Sequence, residues 1–461
     1  MPPYEIAFGT SGWRDRMDGM FNKENVLRAA FGIGKYLQNT RASGPILVGY
    51  DARKNSDIFA ADVAGVLAGM GFEVLLSNAP APTPAAVYGV IANKAAGGVQ
   101  VTASHNPPEY NGIKFMLSTG ATPTKDATNL LGVFIPKGPV EPKKFSGKTI
   151  SLRQGYMDAL RKVLDLSEVK GMRIVVDTRH GAGAGYLADL LSGYGAVVTE
   201  INRDPAPDFG GMSPNPTEPN VKDLVAAVKE QNAALGISND GDADRFAVVD
   251  QAGRYYGANE TGLMLCDYLF KYKGRRGRIA KSIQSTAAFD RLGKKFGVEV
   301  AEVPVGFKNI AKELLAGAVF GVEGAALGVA FGNWIPDKDG IAAGAMVCEM
   351  VSREGAPLDQ IWKRVSTEYA YGNFVMVEIP RMEKVLDGFY FLMNDKGRDM
   401  FGGREIIGRS YIDGIKLSLD DGSWVLVRES GTEPLVRAYI EGRNKKEVDE
   451  LTDAVKRFFG M

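Results

Sequence analysis

Three aspartates at alternate positions, Asp240, Asp242 and Asp244, stand in the segment Asn239-Asp-Gly-Asp-Ala-Asp-Arg245. On extended backbone, with Gly241 for flexibility, this alternation aims the three carboxylates at one point. An oxygen-only donor set of that kind selects magnesium over zinc. Taken alone, the cluster reads equally well as a solvated acidic turn. Arg245 then either balances the charge or reaches a phosphate with its two-pronged guanidinium. His105 and His180 are the only histidines, so a multi-histidine metal centre cannot be built. Carboxylates, Lys, Arg or Ser must carry most of the chemistry.

Thr102-Ala-Ser-His-Asn-Pro-Pro108 places Ser104, His105 and Asn106 in a segment stiffened by two prolines. Ser104 is a candidate nucleophile or phosphate carrier, given electrostatic help from a cation. The plain alternative is a turn serine bonded to backbone. His105 serves as a base or as an orienting ring, and Lys114 as a proton donor or as a surface lysine. Arg428-Glu-Ser-Gly-Thr-Glu-Pro434, followed by Arg437, interleaves arginines with Ser430, Gly431 and Thr432. Such a run suits phosphate oxygens, and it also reads as a polar hairpin. It lacks GxxxxGKS, so it is no nucleotide P-loop. Phe8-Gly-Thr-Ser-Gly-Trp-Arg14 has a similar make-up near the start of the chain.

These loops need a frame, and the chain repeats one three times. Each copy has an apolar run, a helical stretch ending at Gly, a second apolar run, then a third followed by a polar loop. In the first copy the elements are Ile46 to Tyr50, a helix from about Ser56 to Met70, Gly71 to Leu76 and Gly98 to Thr102. The second runs Arg173 to Asp177, Ala184 to Tyr194, Gly195 to Thr199 and Ala234 to Ser238. The third runs Arg278 to Ser282, Thr286 to Phe296, Gly297 to Ala301 and Ala318 to Val322. Gly71, Gly195 and Gly297 fall where a left-handed residue ends a helix. Strand and helix in alternation predict parallel sheets with ligands beyond the strands' carboxyl ends, where Ser104, Asp240 and Glu323 lie. After about Tyr369 four apolar runs and a terminal amphipathic helix, Lys446 to Phe459, read as an α+β unit. The expected fold is three related α/β domains with mixed, mainly parallel sheets and a smaller C-terminal α+β domain. Their expected ranges are 1–150, 151–255, 256–368 and 369–461.

Composition narrows the class. The chain has 461 residues, 45% hydrophobic and 24% charged, with 55 cationic and 55 anionic side chains. A balanced charge gives no field for nucleic acid or an anionic membrane. Two widely spaced cysteines argue against a disulfide framework. No run of 18 apolar residues or basic leader is present, so a cytoplasmic protein is expected.

Together the motifs resemble the α-D-phosphohexomutase family, most closely its phosphoglucomutase/phosphomannomutase branch, across essentially the whole chain. Thr102 to Pro107 with Asn111-Gly-Ile-Lys114 is similar to the family's phosphoserine loop, Asp240 to Arg245 to its metal loop, and Arg428 to Pro434 to its phosphate-binding loop. The resemblance implies that Ser104 carries a phosphoryl group and that Mg2+ is held by Ser104's phosphate with Asp240, Asp242 and Asp244. It implies transfer between the 1- and 6-positions of a glucose or mannose phosphate through a hexose 1,6-bisphosphate, which also serves as activator. Arg14, Lys114 and Arg245 complete the cationic shell; Lys308, within Gly306-Phe-Lys308, and Glu323 contact sugar; Arg428, Ser430, Gly431, Thr432 and Arg437 anchor the idle phosphate. Its partners are small sugar phosphates, and the oligomeric state does not follow from these residues. Closure of the fourth domain is expected to exclude water.

The sugar loop departs from the family. Gly321-Val-Glu-Gly-Ala-Ala-Leu-Gly328 lacks the usual serine and histidine, Ala325 standing near the serine's place and Trp334 where relatives often have histidine. The proton acceptor then falls to Arg14, Lys114, His105 or a carboxylate. Phosphoglucosamine mutase, a metal-dependent phosphatase and a non-catalytic sugar-phosphate binder are the alternatives.

Overall fold

The computed structural model describes residues 6–9, 12–324, 327–395, 397–430 and 434–461. Apolar runs bounded by turn residues become strands, which form four sheets among the described residues. The first contains β1 (Trp13–Arg16), β2 (Ile46–Tyr50), β3 (Val74–Ser77), β4 (Gly97–Val101), β5 (Tyr110–Leu117) and β6 (Lys148–Ile150), in the order β1-β5-β4-β2-β3-β6. The second contains β7 (Arg173–Asp177), β8 (Val197–Ile201), β9 (Leu235–Asn239), β10 (Phe246–Asp250) and β11 (Tyr255–Tyr256), in the order β11-β10-β9-β7-β8. The third contains β12 (Ile279–Ser282), β13 (Val300–Val303), β14 (Phe320–Glu323) and β15 (Gly328–Phe331), in the order β13-β12-β14-β15.

One four-strand unit recurs in all three. Its first strand pairs in parallel with the second on one side and the third on the other, and a fourth returns antiparallel beside the third. The sheets are therefore mixed: the alternation of strand and helix accounts for the parallel pairs, and the fourth strand, which follows the third with no α-helix between them among the described residues, adds an antiparallel one. The segment joining third to fourth strand leaves from the carboxyl end of a parallel strand each time. Gly71, Gly195 and Gly297 have φ of 93°, 85° and 65°, and no atom lies within 4 Å of a Cβ built at Gly71 or Gly297. Backbone conformation rather than space selects glycine there.

The second crossovers are helices that the repeat pattern did not reveal: Thr83–Ala92, Lys222–Glu230 and Phe307–Leu315. Thr83–Ala92 is buried along most of its length, so it shows no polar face. The helices do not respect a simple division into units. Helix Gly340–Glu354 follows the third sheet in sequence but packs against β9 and β10 of the second. Leu187, Ile237, Phe246, Leu263, Phe320 and Val347 accordingly share one continuous core.

The last sheet is antiparallel: β16 (Asn373–Pro380), β17 (Met400–Phe401), β18 (Arg404–Ser410), β19 (Ile415–Leu419), β20 (Trp424–Glu429) and β21 (Leu435–Gly442), in the order β16-β21-β20-β19-β18-β17. Helices Glu383–Asn394 and Lys445–Phe458 cover one face, where Val385, Phe389, Val448 and Leu451 meet Val425, Val427 and Ala438. The other face presents Trp424, Leu426 and Tyr439 to Ile283 of the third domain. This is the alternation of a sheet buried on both sides. No clear apolar run marks β18, whose register shifts between Ile406 and Gly408 and whose pattern is broken by that irregularity.

Candidate active site

Ser104 follows β4 with φ of 52°, a left-handed conformation that costs a non-glycine residue about 1 kcal/mol. Its hydroxyl donates to Asp240 Oδ2 at 2.7 Å and lies 3.5 Å from His105 Nδ1. The loop is held by a residue that none of the sequence motifs contains. Arg53 donates to the carbonyls of Ser104 and Asn106 at 2.6 Å each, Pro107 at 2.7 Å and Tyr110 at 3.0 Å. Asp51 accepts from Arg53 Nε at 3.2 Å, Thr102 Oγ1 at 2.6 Å and Ser56 Oγ at 2.8 Å. The side chains of Asp51 and Arg53 are fully buried. A signal for them exists in the repeat, because Asp-x-Arg closes the first strand of two copies, as Asp51-Ala-Arg53 and Asp177-Thr-Arg179. Arg179 likewise binds Asp177 and the carbonyls of Ser213 and Asn220.

The carboxylates of Asp240, Asp242 and Asp244 converge, each offering an oxygen within 4.8 Å of the others. The cause differs from alternation on extended backbone. The loop is a tight turn closed by the Ala243 N–H donating to the Asp240 carbonyl at 2.9 Å, with Ala243 rather than Gly241 left-handed, at φ 54°. Gly241 is needed for proximity: a Cβ there would sit 2.7 Å from the Ser104 carbonyl and 3.0 Å from the Phe209 ring. Asp242 Oδ1 and Asp244 Oδ1 are buried without a hydrogen-bond partner. Buried carboxylate oxygens left in that condition fit a hard cation.

Lys114 reaches this loop from β5, its Nζ 2.5 Å from Asp242 Oδ2 and 2.6 Å from Asp244 Oδ2. Lys338, which lies in none of the sequence motifs, joins it 3.3 Å from Asp244 Oδ2. Thr83 donates to Asp242 as well. Burial, then the neighbouring Asp242 and Asp244, push the Asp240 carboxyl well above its ordinary range. Asp244 goes the other way: although burial opposes it, Lys114, Lys338 and Arg245 hold it below the usual carboxylate range. Arg245 donates its backbone N–H to Asp240 Oδ1 at 3.0 Å, while its guanidinium Nε stands 3.9 Å from Asp240. Arg14 donates to Asn106 Oδ1 at 2.8 Å. Burial, together with Arg245 and Arg14, pushes the His105 ring well below its ordinary value, so it is neutral near pH 7.

Glu323 ends β14 and accepts the Gly306 N–H at 2.7 Å. Burial raises its carboxyl despite that bond and the nearby Lys338, Arg245 and Arg428. Lys308 is half-buried and its ammonium is pushed down by desolvation and by Lys125. Trp334 is occupied elsewhere. It stacks on Tyr88 at 5.7 Å between ring centres and donates Nε1–H to Asp339 Oδ2 at 2.8 Å.

Arg428 lies at the end of β20, its Nε 3.1 Å from Asp413 Oδ2. Arg437, opposite it on β21, pairs with Glu378 at 3.1 Å. The Ser430 N–H donates to the Leu435 carbonyl at 2.8 Å and closes the loop's base. Gly431 and Thr432 lie outside the described residues, as does Ala325. Glu429 is engaged by Arg381 at 3.0 Å and by the Tyr390 hydroxyl at 2.9 Å.

A serine above three convergent carboxylates, at the carboxyl ends of repeated α/β sheets with a separate antiparallel domain, defines the class of α-D-phosphohexomutases. Family models place the chain within it. The phosphoglucomutase/phosphomannomutase alpha/beta/alpha domains I, II and III match residues 5–137, 154–253 and 258–369, and the family's C-terminal domain matches 390–458. The chain belongs to the phosphoglucomutase/phosphomannomutase family. A probable phosphoglucosamine mutase of Methanopyrus kandleri is 32% identical, covering 97% of this chain and 96% of that protein. A phosphoglucomutase/phosphomannomutase of Thermococcus kodakarensis is 29% identical, over 97% and 96%. The crystal structure of a putative phosphomannomutase from Thermus thermophilus superposes with a TM-score of 0.87 at 32% identity, over 99% of both chains.

Proposed function

We propose that the protein moves a phosphoryl group reversibly between the 1- and 6-positions of a hexose phosphate, with Ser104 as carrier. The observation that supports this most directly is the Ser104 hydroxyl 2.7 Å from Asp240, beside buried carboxylate oxygens with no partner and ringed by Lys114, Arg245 and Arg14. Phosphoryl transfer asks for in-line positioning and charge neutralisation more than for covalent novelty, and the cations around Ser104 are suited to the second. Asp240, Asp242 and Asp244 would hold Mg2+, which when bound offsets the charge of the carried phosphate. Phosphorylated Ser104 gives its group to the free hydroxyl of a hexose monophosphate, and the serine hydroxyl is regenerated. The resulting 1,6-bisphosphate reorients and returns its other phosphate to Ser104.

Neutral His105, with Nδ1 3.5 Å from the serine oxygen, is an available proton acceptor, and Lys114 an available donor. Glu323 and Lys308 would bind the sugar. Arg428, Ser430, Arg437 and the loop that holds Gly431 and Thr432 would grip whichever phosphate is idle.

The test is phosphorus NMR of the protein with Mg2+ and a trace of glucose 1,6-bisphosphate, offered glucose 1-phosphate, mannose 1-phosphate and glucosamine 1-phosphate separately. A 6-phosphate signal should grow and should vanish in Ser104→Ala. Release of inorganic phosphate that survives Ser104→Ala would point instead to a phosphatase. A glucose or mannose phosphate is the first reading of the substrate. Glucosamine phosphate is the second, favoured by the name of the Methanopyrus kandleri relative, and the same three tubes separate them.

A further inference from the structure

The side of the antiparallel sheet that meets the third domain also carries the candidate phosphate-binding arginines. Along β20 the residues Trp424, Leu426 and Arg428 share that side, and along β21 so do Arg437, Tyr439 and Glu441, since side chains alternate along a strand. Three carboxylates fasten this face to the third domain. Glu441 accepts from Thr286 Oγ1 at 2.7 Å, from the Ala287 N–H at 2.9 Å and from Trp424 Nε1 at 2.6 Å. Glu302, on β13, lies 2.6 Å from Lys416 of β19 and 3.3 Å from Lys281 of β12.

The third carboxylate is Asp413, and one of its oxygens serves both domains. Oδ2 accepts from Arg428 Nε at 3.1 Å and from the backbone N–H of Val305 at 3.0 Å. Val305 immediately precedes Gly306-Phe-Lys308. The turn is also pressed onto the arginine's own strand: Gly414 has φ of 79°, and a Cβ there would lie 2.2 Å from the Val427 carbonyl and 2.7 Å from Arg428 Cβ. The turn that carries Asp413 is thus packed directly against the strand that carries Arg428.

We propose that Asp413 is a positioning residue that orients the Arg428 guanidinium for the idle phosphate and makes that orientation conditional on contact between the third and fourth domains. A bond to Nε fixes the plane of the guanidinium and so the direction of its remaining N–H groups. The Val305 N–H holds the same oxygen in place only while the domains touch. Phosphate recognition is thereby keyed to domain contact. The inference rests on the reading that Arg428 binds the non-reacting phosphate of a sugar bisphosphate.

Calorimetric binding of glucose 1,6-bisphosphate tests it, with the full chain, Mg2+ and a Ser104→Ala background that prevents transfer. Adding Asp413→Ala should weaken binding about tenfold or more, the loss expected for a charge-assisted hydrogen bond. Asp413→Asn, whose carbonyl oxygen can still accept from both donors, should stay within about threefold of the parent. Asp413→Ser, too short to bridge both, should match Ala and replaces it in the comparison if Ala fails to fold. With Ser104 restored, Asp413→Ala or Asp413→Ser should raise KM and leave kcat nearly unchanged. Unchanged affinity in both short variants overturns the proposal, and so does equal damage by Asn and Ser. If the parent isomerises no sugar phosphate yet the binding series behaves as described, the mutase reading fails and the positioning role stands. If it isomerises and the short variants bind normally, only the positioning role fails.

Discussion

Ser104 occupies a conformation that a serine adopts reluctantly; Arg53, bonded to four carbonyls of its loop, helps to hold it there, as does the Thr102 hydroxyl that accepts the Ser104 N–H. A lysine has no fork and cannot hold four carbonyls at once. Arg53→Lys should lower kcat about a hundredfold by letting the serine drift by an ångström or so, with circular dichroism near that of the parent. Arg179→Lys removes the same device from the second repeat, where it holds Ser213 and Asn220 instead. It should lower the melting temperature with a much smaller loss of kcat; equal loss in both variants would refute a local role for Arg53. Asp339 gives a pH prediction. Burial raises its carboxyl from 3.8 to about 6, although Tyr156, Trp334 and the first N–H groups of helix Gly340–Glu354 bond to it. A folded-state value above the unfolded one means that the native protein binds the extra proton. The contribution is therefore full below about pH 4 and lost as pH rises through about 6. The melting temperature of the parent relative to Asp339→Asn should fall across that window, and a difference independent of pH would contradict this.

At the scale of elements, the site is made by two loops pressed together. Gly241 of the acidic turn passes so close to the Ser104 carbonyl that a methyl group has no room. Gly241→Ala must push the turn and the serine loop apart, since both neighbours are rigid backbone or ring. Turnover should drop about a hundredfold and the Mg2+ concentration for half-maximal activity should rise. Ala at this position with normal kinetics would show that the two loops need not touch. The three-fold repeat and the loops that follow its third strands were legible in the sequence, because apolar runs and helix-ending glycines recur at similar spacing; the order of the strands in each sheet was not. The buried helix Thr83–Ala92 and the irregular β18 were not, since neither carries a clean period. Arg53 has no signature of its own in the sequence, since one arginine near a strand end is unmarked until the matching Arg179 is set beside it.

For the whole molecule, the fourth domain meets the third through both an apolar patch and a polar seam. Ligand that bridges Ser104 and Arg428 should hold these parts together and shed water from the reacting phosphate. Small-angle scattering with and without a sugar bisphosphate should record a smaller radius of gyration in the bound state. An unchanged curve at saturation would count against closure. Among the described residues no helix is long and apolar enough to cross a membrane.

The sequence by itself determined the α/β repeat, the C-terminal α+β unit and the residue types that meet at the site, because periodicity and turn chemistry are local properties. Only the tertiary structure decided that Ala243 rather than Gly241 takes the left-handed turn, that Lys338 joins Lys114 on Asp244, and that Trp334 is spent on Tyr88 and Asp339. It also decided that Asp413 is shared by two domains. Each of these depends on which distant segments lie side by side, and burial then sets the strength and direction of their charges.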